Sequence, residues 1–155
     1  MIPGKYFVFS YIFFSLMTSL PGAIAQTPDL PATVAFINKK LGPKCTVEIV
    51  HGYLIAKYFS DDGKQVREDK VELTDLAFDR PGYEAKEKVF YYACYAEGKD
   101  CVYRKMILTG NWRYYPRISF VVEDDAKLKA SLTNAFIHLS KIVESRKYKD
   151  TVVLE

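Results

Sequence analysis

The chain has 155 residues, 49% of them hydrophobic and 15% aromatic, with 22 basic and 19 acidic residues and a formal net charge of +3. Such a near-balance sets up no strong field and gives no reason to expect a nucleic-acid partner, which calls for a marked basic excess. The length fits one domain with a modest core.

Lys5 is the only charge before Asp29, and residues 6–20 form an apolar, aromatic run. Pro21-Gly22 breaks that run, and Ala23-Ile24-Ala25 supplies small residues around a cleavage point. This is the pattern of a secretory signal peptide, so residues 1–25 are expected to be removed and Gln26 to begin the mature chain. The run is shorter than the roughly 18 to 20 apolar residues of a spanning helix. No Cys follows the cleavage point to carry a lipid. Residues 26–155 then form a single domain, secreted or periplasmic in the cell envelope, with no membrane span after cleavage. Losing Lys5 lowers the net charge to +2.

Thr27-Pro28 reads as an N-cap followed by the first helical residue. Leu30, Val34, Ile37 and Leu41 make one apolar stripe, and Gly42-Pro43 ends the helix. Residues 45–59 are β in character, interrupted by a tight turn or bulge at His51-Gly52. Asp61-Asp62-Gly63-Lys64 is a turn, and residues 65–73 read as a strand with one wet face. Residues 74–87 are the least structured part, with a loop at Asp79-Arg80-Pro81-Gly82. Residues 88–108 read as a β-hairpin bent at Glu97-Gly98. After a turn at Thr109-Gly110-Asn111, Trp112, Tyr114, Pro116, Ile118, Phe120 and Val122 alternate with Arg113, Tyr115, Arg117 and Ser119. The first set is expected to be buried and the second solvated. Pro116 marks an edge or a bulge. Glu123-Asp124-Asp125 caps a long amphipathic helix with Leu128, Leu132, Phe136, Leu139 and Val143 on its apolar face. Residues 151–154 are a frayed tail or a short edge strand.

Strands followed by a helix give an α+β class: a bent antiparallel sheet or partly open barrel of five to seven strands, packed by the C-terminal helix, with a short N-terminal helix. Over residues 45–145 this order of elements, without any family motif, resembles the pleckstrin-homology-like barrel. The resemblance implies a bent sheet whose open end is plugged by the C-terminal helix, in a family that binds phosphoinositides or peptides. An open sheet crossed by a helix, as in cystatin-like folds, is the alternative.

Three Cys follow the leader: Cys45, Cys94 and Cys101. Cys94 and Cys101 stand equally far from the bend at Glu97-Gly98 and are expected to form a structural disulfide. Cys45 is left over, free and buried or paired with another chain, or it replaces either partner. Metal binding is not expected, because six residues separate Cys94 from Cys101 and the chain has only two His. His51 reads as a turn residue and His138 as a helix-boundary residue. Asp61-Asp62 fits a turn and Asp124-Asp125 a helix cap. No nucleophile, phosphate-loop or dinucleotide motif occurs, and no cofactor is expected.

The remaining signal is Tyr and Arg, the residues that dominate binding hot spots. Arg113, Tyr115 and Arg117 share one face of their strand. A two-residue turn at Gly110-Asn111 adds Arg104 and Tyr91 to that face. A three-residue loop adds Tyr92, Tyr103 and Lys105 instead, and both registers put one basic residue on the core side. The expected function is non-enzymatic binding of a protein, peptide or glycan. The alternatives are an extracytoplasmic hydrolase assembled only in three dimensions, or a carrier of a small apolar ligand between sheet and helix. N-terminal sequencing of the exported protein is expected to start at Gln26; a product retaining residues 1–25 contradicts cleavage.

Overall fold

The computed structural model describes the backbone of residues 28–152 and the side chains of residues 28–146. The expected leader, the expected cap at Thr27 and the tail from residue 153 lie outside these. Among the described residues two helices, α1 (Leu30–Leu41) and α2 (Ala126–Val152), accompany eight strands: β1 (Cys45–Val50), β2 (Tyr53–Phe59), β3 (Gln65–Glu72), β4 (Gly82–Glu84), β5 (Val89–Ala93), β6 (Val102–Met106), β7 (Trp112–Tyr115) and β8 (Arg117–Val121). All pair antiparallel, in one sheet ordered β1-β2-β3-β6-β7 and another ordered β4-β5-β8. The class is α+β as expected, and the sheets do not close into a barrel. The strands outnumber the five to seven expected because β4 is only three residues long and Pro116 splits one run in two.

Local chemistry explains most boundaries. The Asp29 carboxylate accepts from Ala32 N–H at 3.0 Å and caps α1, with Pro31 in the first turn. The cap thus falls two residues after Thr27. Gly42, at φ 74°, ends the helix as its N–H donates to Asn38 O. His51 and Gly52 both take positive φ, 50° and 82°, the requirement of a two-residue type I′ turn. Asp125 Oδ1 accepts from Lys127 N–H at 2.7 Å and Leu128 N–H at 3.1 Å, capping α2. Asp124 pairs with Lys129. Residues 151–152 continue α2, so they form no edge strand.

The expected hairpin over residues 88–108 does not form. β5 pairs with β4 and β8, whereas β6 pairs with β3 and β7. The chain leaves one sheet at Cys94 and enters the other at Cys101, and the Cys94–Cys101 disulfide ties the two points together across 5.8 Å between Cα atoms. The run from Trp112 makes the reverse crossing at Pro116. Pro116 has no N–H for a ladder, while its carbonyl accepts from Cys94 N–H at 2.8 Å.

The crossing at Pro116 overturns half of the expected burial pattern. Ile118 and Phe120 are buried, but Trp112 and Tyr114 are 60% and 53% exposed. The stripe is continuous in sequence, yet its β8 part faces the core and its β7 part faces away from it.

Both sheets and both helices contribute to one core. Phe136 of α2 stacks on Phe78 at 5.6 Å and Phe120 at 5.5 Å, and meets Tyr92 edge-on at 5.2 Å. The space where an apolar ligand would sit between helix and sheet is filled by these rings. Residues 74–87, expected to be least structured, carry Leu76, Ala77 and Phe78 into the core and pair through Leu76 with Cys94. Cys45 is free and buried, and burial pushes its thiol up to about 12. It pairs with neither other Cys.

Opening the disulfide frees a loop of about eight residues in the unfolded chain, an effect worth about 2 to 3 kcal/mol. Replacing Cys94 and Cys101 together by Ala is expected to lower the unfolding free energy by that amount in urea titration. An unchanged midpoint contradicts a structural role.

Candidate binding face

The site begins with a charge placed where charges are rarely found. Asp69, in the middle of β3, points to the core side and is 0% exposed. Its register partner in β6 is Arg104. Arg104 Nε donates to Asp69 Oδ1 and Nη2 to Oδ2, both at 2.8 Å. Burial works against the Arg104 charge, but the hydrogen bonds and charge of Asp69 outweigh it and raise the Arg104 pKa. Arg67 Nε lies 3.2 Å from Oδ1 as a charge contact rather than a directed hydrogen bond. Arg67 also stacks on the Tyr58 ring at 3.6 Å and donates from Nη2 to Ser119 O. The Tyr58 hydroxyl donates to Ser119 O at 3.0 Å. Burial, reinforced by the Asp69 charge, holds the Tyr58 hydroxyl well above its ordinary pKa. This cluster joins β2, β3 and β6 of one sheet to β8 of the other.

Arg104 also fixes β7. It lies over the Tyr115 ring at 4.1 Å, and Arg113 lies over the same ring at 4.5 Å. Arg104 and Arg113 are direct register partners. The β6–β7 connection is a four-residue loop, residues 107–110, with Met106 N–H donating to Asn111 O at 2.8 Å. An even loop length gives the same side-chain parity as a two-residue turn. Arg104 therefore shares a face with Arg113 and Tyr115, the same parity as a two-residue turn but in a different register, and Arg104 lies on the core side of the sheet rather than on a solvated face. With Met106, Asn111 and Trp112 they line a shallow cleft of about 230 Å³.

Tyr91 and Arg117 are not part of it. They lie on the outer face of the three-stranded sheet, where Arg117 stacks on Tyr91 at 4.4 Å and bonds Glu84 Oε1 at 2.5 Å. The Tyr91 ring rests on Gly82, whose position a Cβ could share only at 2.1 Å from the ring. The five candidate residues thus separate: Arg113 is exposed beside the Tyr115 ring, Arg104 is held beneath them by Asp69, and Tyr91 and Arg117 satisfy each other on the other sheet.

The opposite face of β6–β7 was not expected to be a site. Tyr103, Trp112 and Tyr114 cluster there, with ring centroids 5.3, 5.7 and 6.4 Å apart. Lys105 flanks them, and Leu108 at the loop tip is 81% exposed. Beside Tyr114 runs a groove made of two adjoining hollows of about 400 and 410 Å³, which share Asp75, Cys101 and Tyr114. One sequence signal pointed to this region: residues 101–122 carry Arg104, Lys105, Arg113 and Arg117 and no acidic residue. Among the described residues, Lys105 and Arg113 have no carboxylate within 4.0 Å, while Arg104 and Arg117 each do.

The histidines have local roles. His51 forms the β1–β2 turn. A ring nitrogen of His138 meets Pro28 O at 2.7 Å, joining α2 to the start of α1. Among the described residues no group of three His, Cys, Asp or Glu is placed to hold a metal ion. No helix there is long and apolar enough to cross a membrane. Compared with known proteins, the chain matches no family model, no curated protein and no solved structure.

Removing one partner of a buried ion pair leaves an uncompensated charge, which costs about 3 to 5 kcal/mol. Asp69→Ala is expected to destabilise by that amount, and Asp69→Leu combined with Arg104→Met by much less. Equal losses from the single and double variants, read by denaturant titration, contradict direct coupling.

Proposed function

We propose that the chain is an exported, non-enzymatic binding domain whose β6–β7 hairpin grips a protein or peptide partner. The observation that carries this reading is the solvent-facing cluster of Tyr103, Trp112 and Tyr114 on a hairpin whose Lys105 and Arg113 have no acidic partner among the described residues. Exposed contiguous aromatic surface rimmed by polar groups marks interaction sites, and Trp, Tyr and Arg carry most binding energy at them. The rings meet at 71° and 88° around Tyr114. They form a ridge with pockets rather than a flat platform, which suits peptide side chains better than the face of a sugar. The disulfide supports an oxidising compartment, secreted or periplasmic. The order of elements shared with pleckstrin-homology-like barrels, a family that includes peptide binders, points the same way.

The test compares what the mature chain and its variants retain from the native envelope, by mass spectrometry. Trp112→Ala with Tyr114→Ala is expected to weaken capture by about 2 kcal/mol or more while stability shifts by about 0.5 kcal/mol or less. Arg117→Ala, in the other sheet, is expected to leave capture unchanged. Full capture by the double variant overturns the reading.

A further inference from the structure

The two outer strands of the five-stranded sheet are finished differently. At β1 the edge is sealed by α1. Val47 N–H donates to Asn38 Oδ1 at 2.6 Å, and Asn38 Nδ2 donates to Val47 O at 3.0 Å. The side-chain amide takes the place that a neighbouring strand would occupy. At β7, among the described residues, no strand or side chain does this. An unpaired edge is a template for another strand unless it is covered or blunted.

The register identifies the open groups. The bond from Met106 N–H to Asn111 O makes that pair a hydrogen-bonded one. Hydrogen-bonded pairs recur every second residue in an antiparallel ladder. Arg104–Arg113 and Val102–Tyr115 are therefore also hydrogen-bonded pairs, and they use the backbone groups of Arg113 and Tyr115. The N–H and C=O groups of Trp112 and Tyr114 consequently point away from β6, along the free edge. Both residues are more than half exposed.

We infer that β7 recognises its partner by strand addition, and that the partner segment is an extended peptide alternating acidic and apolar residues. This deepens the binding reading above and rests on it. In an added strand, side chains alternate between the two faces of the sheet. Those on one face meet the Trp112 and Tyr114 rings and should be apolar. Those on the other meet Arg113, whose charge no carboxylate among the described residues compensates, and should be acidic; Arg104 beneath it is already held by Asp69. Lys105 adds positive charge on the ring side, and residues 101–122 hold no acidic group to compete. A second copy of the chain fits poorly. The self-pairing that uses all four open backbone groups, Trp112 against Tyr114 in both directions, sets the two Arg113 side chains against each other, and directly opposed like charges destabilise a ladder.

The probe is a synthetic peptide of about six residues alternating Val and Glu, compared with the same peptide carrying Lys for Glu. A third peptide is N-methylated at the residues that donate to the edge. Binding to the mature wild-type chain is followed by fluorescence of Trp112 and by backbone amide exchange. The Glu peptide is expected to bind and to slow exchange at Trp112 and Tyr114, while the Lys and N-methylated peptides bind roughly tenfold more weakly or worse. Arg113→Glu, at an exposed position, is expected to reverse the preference between Glu and Lys peptides. Equal binding of the N-methylated peptide overturns strand addition and leaves a side-chain docking face. No binding of the Glu peptide, or protection of both amides in a dimer without peptide, overturns the inference. The effect of Trp112→Ala with Tyr114→Ala on native capture then judges the broader reading separately.

Discussion

A single buried carboxylate organises this molecule. Asp69 has no access to water, and an isolated charge there would be prohibitively unfavourable. Its two-point bond to Arg104 and the contact with Arg67 compensate it. The consequence is directional as much as energetic. Asp69 and Arg104 face each other only in the observed register of β3 and β6. A slip of one residue would bring Tyr103 or Lys105 inward and leave Asp69 unpaired. That register decides which side of β6 carries Tyr103 and which side of β7 carries Trp112, Arg113, Tyr114 and Tyr115.

The rest of the frame fixes the hairpin at its ends. The Cys94–Cys101 bridge holds the start of β6 beside the end of β5. Pro116, accepting from Cys94 N–H, holds the end of β7 at the same junction. Arg67 and Tyr58 both reach Ser119 O and bind the two sheets to each other. Three different chemistries, a covalent bond, a backbone hydrogen bond and a desolvated charge cluster, therefore converge where β6 and β7 leave the core. Beyond that junction the hairpin extends with exposed rings and with Lys105 and Arg113, a rigid base carrying a solvated tip.

Much of the fold could be read from the residues. The 3.6-residue stripes of α1 and α2 and the turn at His51-Gly52 depend on local pattern, and local pattern is present in sequence; the Cys94–Cys101 disulfide forms as expected, but between two sheets rather than across a hairpin. What could not be read was which strands share a sheet. Residues 88–108 have the composition of a hairpin, but pairing is a non-local choice, and both arms found partners elsewhere. The run from Trp112 to Val122 alternates without a break, and alternation alone does not reveal that the strand changes sheets at Pro116. For that reason Arg104 shares a face with Arg113 and Tyr115 in a register that neither turn length predicts, Tyr91 and Arg117 lie apart, and the Trp112–Tyr114 face, which alternation assigns to the core, is exposed. Asp69 was hidden among the charges of β3.

The central claim is that the β6–β7 hairpin, the proposed recognition element, is held rigid from behind by Asp69. The most direct measurement is native-state hydrogen exchange of the β6–β7 ladder amides of Arg104, Met106 and Arg113, compared with amides of core residues such as Tyr92 and Phe136. A hairpin locked to the core opens only with global unfolding, so these amides should share the protection of the core. Rapid exchange of the hairpin while the core stays protected would show a locally mobile element and contradict the account.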